Sequence, residues 1–230
     1  AVDSKTNEIT AIPELLDRLA LKDCSITVDA LNCQRTIAAK IVDQQADYVM
    51  AVKQNHEELY HTLDLLFRAA TELDAVDPDY HQTFSKGHGR VEHRECWITD
   101  DADYLNYIAE KADWPGLQSL IMIKTVRQTS EERTVKRRYF ISTLPPDAEL
   151  ALQTVRTHWH IENRLHWVLD IGFREDESRV RKGYGAANLA VIRHIALNLL
   201  KHEETAECGI HAKRLRAGWD NEYLLNVLDV

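Results

Sequence analysis

Hydrophobic positions recur along the first half of the chain with two different periods. Leu15, Leu16 and Leu19 fall at helical spacing and predict a short amphipathic helix over Glu14–Leu21, leucines inward. Ser25-Ile26-Thr27-Val28-Asp29 is a β-branched run that reads as a strand ending on a carboxylate. Ile37 and Ile41 restore a helical period across Thr36–Gln44, and Asp47–Lys53 (DYVMAVK) is again a strand. Strand, helix and strand in this order predict a parallel βαβ unit with a right-handed crossover. In open α/β sheets the chemistry gathers at the carboxyl ends of such strands, where Asp29 and Lys53 both fall.

A helix over Glu57–Ala70 comes next, and then the pattern changes. Tyr80–Ser85, the turn Lys86-Gly87-His88-Gly89 and Arg90–Ile98 predict a β-hairpin. Ala102–Ala112 reads as a helix closed by Trp114-Pro115-Gly116, and Ser119–Arg127 and Thr134–Thr143 as two strands around a charged loop. A long helix starts at Pro145-Pro146-Asp147, where Pro suits the first turn and Asp the positive end of the dipole, and should run to about Asp170. Ala186–Lys201 predicts an apolar helix, and Asp220 or Asn221 caps a last one. The expected fold is a single α/β unit with an inserted antiparallel β region: a core over residues 1–79, a β-rich insertion over 80–143, and a helical remainder over 144–230.

Composition narrows the class. Apolar residues make up 44% and charged residues 28% of the 230, a globular balance that excludes a disordered chain. No apolar run approaches the roughly 18 residues that span a bilayer, and the N-terminus Ala1-Val2-Asp3-Ser4-Lys5 has neither an initiator Met nor a signal pattern. The expectation is a fragment beginning inside a longer chain. Cys24, Cys33, Cys96 and Cys208 are too sparse for a disulfide scaffold and lack zinc-site pairing, which suits reduced thiols in a cytoplasmic protein. The net charge of −9 is uneven: residues 1–120 hold 11 Lys and Arg against 22 Asp and Glu, residues 121–230 hold 17 against 15. A polyanion would therefore meet the second half.

Three groups of residues offer chemistry. In His158–Asp170 (HWHIENRLHWVLD) an i+4 step on a helix drifts by only about 40°, so His158, Glu162 and His166 form a polar stripe beside Ile161, Leu165 and Leu169. That stripe presents a carboxylate between two imidazoles. A solvated face, or a zinc site built on His158 and His166, would use the same residues. His56 and His61 flank Glu57-Glu58 like a metalloprotease helix, but they are five apart, about 140° round the helix, so that reading fails. Asp29 ends a strand, where Asp is disfavoured; it reads either as a metal-binding carboxylate or as a turn cap. Cations cluster at Lys124, Arg127, Arg133, Lys136, Arg137 and Arg138, at Arg174–Lys182, and at the Lys86–Arg90 turn, in patterns that suit phosphate contacts or a solvated surface.

Asn7–Pro13 (NEITAIP), Ile26–Gln34 (ITVDALNCQ), Asp47–Asn55 (DYVMAVKQN), His88-Gly89-Arg90, HWHIENRLHWVLD, Glu175-Asp176 and Asn188–Asn198 (NLAVIRHIALN) together resemble the H-repeat-associated family of bacterial insertion-sequence transposases. The resemblance implies a DDE transposase: an RNase H-like core, three carboxylates, Mg2+ or Mn2+, and metal-dependent phosphoryl transfer that cuts and joins DNA. Asp29 matches the second Asp of the triad and Glu162 the Glu, as both catalytic and metal-binding residues. The first Asp belongs to a strand expected upstream of this chain, so the core's first strands should be missing and the chain alone inactive. Lys53 and Asn55 fall on the family's Lys-Gly-Asn element, with Gln54 at the Gly, and Asn32 replaces a common Gly. The candidate DNA contacts are Lys53, Asn55, His88, Arg90, Lys136, Arg137, Arg138, His158 and His166. The implied partners are double-stranded insertion-sequence ends and target DNA and a second copy in a homodimer, with no membrane. A degenerate DNA-binding relict without catalysis is the rival reading.

Overall fold

The computed structural model describes residues 8–72, 77–87, 89–111 and 113–228, of which 8–10, 110, 111, 162 and 163 are described by backbone alone. The described residues fall into two compact units, Val2–Arg156 and Thr157–Val230.

In the first unit, β1 (Ser25–Val28) and β2 (Asp47–Val52) pair in parallel, Ser25 opposite Asp47 and Val28 opposite Met50, with α2 (Arg35–Asp43) as the crossover. This is the βαβ unit that the periodicity predicts. The other edge of β2 pairs antiparallel with β6 (Arg133–Ser142), followed by β5 (Ser119–Gln128), β4 (Arg90–Thr99) and β3 (Asp79–Gly87). One mixed six-stranded sheet results, in the order β1-β2-β6-β5-β4-β3. The antiparallel strands over 80–143 thus extend the same sheet rather than forming a sheet of their own.

Period-2 alternation assigns side chains to the two faces. Tyr48, Met50 and Val52 of β2, with Met122, Tyr139 and Ile141, meet Ile37 and Ile41 of α2, Leu63 and Phe67 of α3 (Glu57–Glu72) and Ile108 of α4 (Ala102–Lys111). Val49, Cys96, Ile98, Ile121, Ile123 and Phe140 meet Ala148, Ala151, Leu152 and Val155 of α5 (Ala148–Ile161). With helices on both faces, β2 is buried on both sides and reads as an apolar run, as central strands do. Buried hydroxyls lock the amino end of β2: Thr143 Oγ1 accepts from Tyr48 N at 2.9 Å and donates to Asp47 Oδ1 at 2.8 Å.

The first helix departs from expectation. It is α1 (Glu8–Leu16), ending where its leucine repeat was to continue. Arg18 N bonds Leu15 O and Leu19 N bonds Leu16 O, so the chain tightens to i→i+3 spacing. Of the three leucines expected inward, Leu16 alone is buried; Leu15 and Leu19 are about half exposed.

The second unit holds α6 (Trp167–Phe173), α7 (Gly185–His202), α8 (Ile210–Trp219) and α9 (Asn221–Leu228). The helix predicted to run to Asp170 is interrupted by a π turn at Glu162–His166. An inserted residue rotates the succeeding turns by about 100°, so the expected apolar stripe is broken. Ile161 is 51% exposed and Leu169 only 3%. Asp220 caps α9 as expected, accepting from Tyr223 N at 3.0 Å.

A charged network sits in this unit's interior. Buried Glu203 accepts from Tyr223 Oη at 2.6 Å, from Thr205 N at 2.6 Å and from Thr205 Oγ1, and pairs with Lys213 Nζ at 3.2 Å. Lys213 Nζ also donates to Leu200 O at 3.3 Å. The Thr205 and Tyr223 hydroxyls, with Lys213 and the Thr205 amide, hold the Glu203 carboxyl down at about 2 against the burial that opposes them. Burial and Glu203 push the Tyr223 phenol up to about 12. A carboxyl depressed on folding stabilises fully above its unfolded pKa near 4.5, and that stabilisation is lost as pH falls from there towards 2. Glu203→Gln should lower the melting temperature at neutral pH and flatten the loss of stability over that acid window. Thermal melts of both proteins from pH 7 to pH 2 measure this.

Candidate active site

Asp29 is the first residue beyond β1, exposed at the carboxyl end of the parallel pair. Its Oδ1 accepts from the Asn32 backbone N at 3.1 Å and from Asn32 Nδ2 at 2.9 Å, an Asx-type turn. Among the described residues nothing bonds Oδ2. Asp29 therefore caps its turn with one oxygen and presents the other, so the two sequence readings of this residue are compatible. Asn32 is itself buried, its Oδ1 without a partner among the described residues.

Lys53–His56 folds over this loop. Lys53 leaves β2 exposed, and Gln54–His56 makes a single 3-10 turn. Asn55 Nδ2 donates to Ala30 O at 2.7 Å, and the His56 ring shares a hydrogen bond of 2.7 Å between Nε2 and Cys33 O. The His56 ring also meets Trp114 edge-on at 6.0 Å. The carbonyls of the 29–33 loop are thus held from the end of β2. His56, which the sequence offered only as part of a failed zinc motif, is one of the two braces. The Asn55 amide nitrogen, a candidate DNA contact, is engaged inside the protein. Burial, and then the nearby Asp29 charge, push the Cys33 thiol up to about 12, so it is an inert core group.

Glu162 lies in the second unit, where it opens the π turn. Such turns are frequent at functional sites. His158 is partly buried, edge-on to Trp159 at 6.0 Å, and His166 is exposed. Desolvation, then Asp176 and Glu175, raise the Asp170 carboxyl, gathering acidic side chains just after the π turn. Among the described residues no three His, Cys, Asp or Glu side chains are grouped to hold a metal ion, so His158 and His166 form no such cluster there.

The basic candidates separate by strand register. Arg137, opposite Lys124, shares the sheet face of Tyr139 and Met122. Lys136 and Arg138 point to the other face, beside Thr125 and Ile123. Burial and then Arg94 lower the Arg138 guanidinium. Arg90 pairs with Glu92 at 3.0 Å, and His88 lies outside the described residues.

Removing the Asn55 amide would leave the carbonyl of buried Ala30 without its donor, a loss of about 1–3 kcal/mol. Asn55→Ala should therefore lower stability by about that amount and speed amide exchange of Asn32 more than exchange in the β5–β6 ladder. Hydrogen exchange followed by NMR checks both.

Two comparisons place this chain among known proteins. A family model described as "Transposase DDE domain" matches residues 1–199. The protein named "Putative protein YbfL" of Escherichia coli (strain K12) is 39% identical over 98% of this chain and 60% of its own length. "H repeat-associated putative transposase YhhI" of the same strain is 38% identical over 98% of this chain and 60% of its length. "Putative transposase YncI" of Escherichia coli O157:H7 is 37% identical over 98% and 58%. The chain thus spans about 60% of the length of these relatives. With more than half of its residues matched by the domain model, and its H-repeat-associated relatives carried through nearly every segment, the chain belongs to the DDE transposase family.

Proposed function

We propose that this chain carries two of the carboxylates of a transposase centre that cuts and joins DNA by metal-dependent phosphoryl transfer. The observation that carries the reading is Asp29: exposed at the carboxyl end of a parallel strand, braced through one oxygen, with the other oxygen lacking a partner among the described residues. Asp29 and Glu162 are hard oxygen donors of the type that Mg2+ and Mn2+ take, leaving sites for phosphate and water. When bound, such ions activate the attacking oxygen and offset charge on the leaving one. Within this reading the chain's own residues have separate tasks. Asn32, Asn55 and His56 fix the Asp29 carboxylate in place, and Lys53, exposed beside it, attracts the phosphodiester.

In the same reading residues 1–79 are a partial RNase H-like core, residues 80–143 its β-rich insertion, and residues 144–230 the helical remainder of the core, carrying Glu162. Double-stranded insertion-sequence ends and target DNA are the substrate, with Arg90, Lys136, Arg137, Arg138, His88, His158 and His166 as contacts. A homodimer working in the cytoplasm completes the proposal. No described helix is long and apolar enough to cross a membrane.

The test is whether Asp29 and Glu162 share a cation. Paramagnetic Mn2+ added to the purified chain should broaden NMR signals of both the 29–33 loop and the 162–166 turn, and Asp29→Ala should abolish the broadening at both. Broadening at one segment that ignores substitution at the other would overturn the reading. With two carboxylates assigned, the 230-residue chain by itself should not nick supercoiled DNA in Mg2+. Steady nicking lost in Asp29→Ala would contradict that expectation. Salt-sensitive DNA binding that ignores Mn2+ and Glu162→Gln would favour the relict instead.

A further inference from the structure

We propose that the outer part of one sheet face is a stacking platform for unpaired DNA bases, an inference that rests on DNA being this chain's substrate. Beyond the helices that cover its base, the sheet of β3–β6 continues with exposed residues. The register sets Phe84, His93, Val126 and Val135 directly opposite one another across four strands, on the face of Trp97, Met122 and Tyr139. At the roughly 4.8 Å spacing of strands this row is about 14 Å wide. Phe84 is 67% exposed and Val135 50%. The rings of Phe84 and His93 stack with centroids 4.0 Å apart and planes within 4° of parallel. Gln82 Oε1 holds His93 Nε2 at 2.9 Å, so the imidazole is fixed as one layer of the stack.

Cations flank the row along the strands. Lys86 and Arg133 lie two residues outward on the same face, and Arg137 two residues inward. All three are exposed, and none has an ion-pair partner among the described residues. The one acid among the facing positions of these rows is Glu95, which Lys124 neutralises at 2.8 Å. An apolar strip bordered by cations that have no ion-pair partner among the described residues matches a polyanion that also offers flat apolar faces. A duplex keeps its base faces stacked within itself, whereas unpaired bases expose theirs, and aromatic rings beside cations are the usual means of binding them. A partner without negative charge would use the apolar strip but leave the three cations unmatched.

The experiment compares binding of the purified chain to fluorescent oligothymidylate and to a duplex of the same length. The single strand should bind more tightly. Phe84→Ala should weaken it about tenfold, in the range expected for loss of one base–aromatic stack, and leave duplex binding unchanged. Phe84→Trp should restore the preference. Lys86→Ala with Arg133→Ala should shallow the salt dependence by about 0.7 per phosphate contact removed. Circular dichroism of each variant confirms that these exposed substitutions leave the fold intact. Duplex binding with a single-strand affinity indifferent to Phe84 overturns this proposal and spares the DNA reading. Binding to neither form overturns both, as would self-association that Phe84→Ala abolishes in a chain that ignores DNA.

Discussion

The parallel ladder between β1 and β2 obliges the chain to cross back over one sheet face, and α2 makes that crossing with Ile37 and Ile41 inward. Parallel pairing also brings two strand ends to the same edge, Asp29 from one and Lys53 from the other. The loop after β1 then lies within reach of the turn after β2, which is why Asn55 and His56 meet the carbonyls of Ala30 and Cys33. An antiparallel partner for β1 would have put Asp29 at the opposite end from those braces. The antiparallel β6 takes the free edge of β2 without disturbing this edge, because Val49 faces Ser142 and the ladder runs from there toward Tyr139.

Local periodicity carried much of the first unit. The β-branched run before Asp29, the helical repeat of α2 and the apolar DYVMAV segment each agree with the structure because propensity and burial favour the same element. What the pattern could not carry was register between distant segments. Nothing in Arg133–Ser142 announces that it pairs with β2, some 90 residues earlier. The break at Leu16 and the π turn at Glu162 escaped for a related reason: both change the helical phase by hydrogen-bond spacing, which side-chain periodicity does not record. α8 was hidden by its composition, since IHAKRLRAGW packs few apolar residues and buries Lys213. Asp29 was legible as an anomaly, a carboxylate where strands avoid one; its bracing residues were not, because Asn55 and His56 act through backbone carbonyls that no sequence pattern marks.

Glu203, Lys213 and Tyr223 show a different way of holding helices together. The second unit buries few large side chains, chiefly Leu200, Tyr223 and Val227, so its small apolar core leaves orientation undetermined. A buried carboxylate is costly unless every oxygen is engaged. Glu203 meets that condition with donors from the chain just after α7, from α8 and from α9. The demand for complete pairing fixes the three helices relative to one another more narrowly than apolar contact alone would.

In the proposed reading, an acidic chain that binds DNA must separate attraction from chemistry. Carboxylates at the edge of β1 repel phosphate until a cation stands between them, so the binding free energy has to come from elsewhere on the surface. The sheet extension supplies such a place. Its strands run out past the helices, where Lys86, Arg133 and Arg137 on one face and Arg127 and Lys136 on or near the other have no acid within ion-pair reach among the described residues. Local field rather than net charge decides where a polyanion settles. A net charge of −9 is therefore compatible with DNA binding, provided the acidic residues lie away from that extension. Many do: α3 opens with Glu57 and Glu58, and α4 begins just after Asp100 and Asp101. Extending the sheet beyond its helical cover thus achieves what a uniform surface could not, placing cations where neither the Asp29 carboxylate nor the acidic helix ends neutralise them.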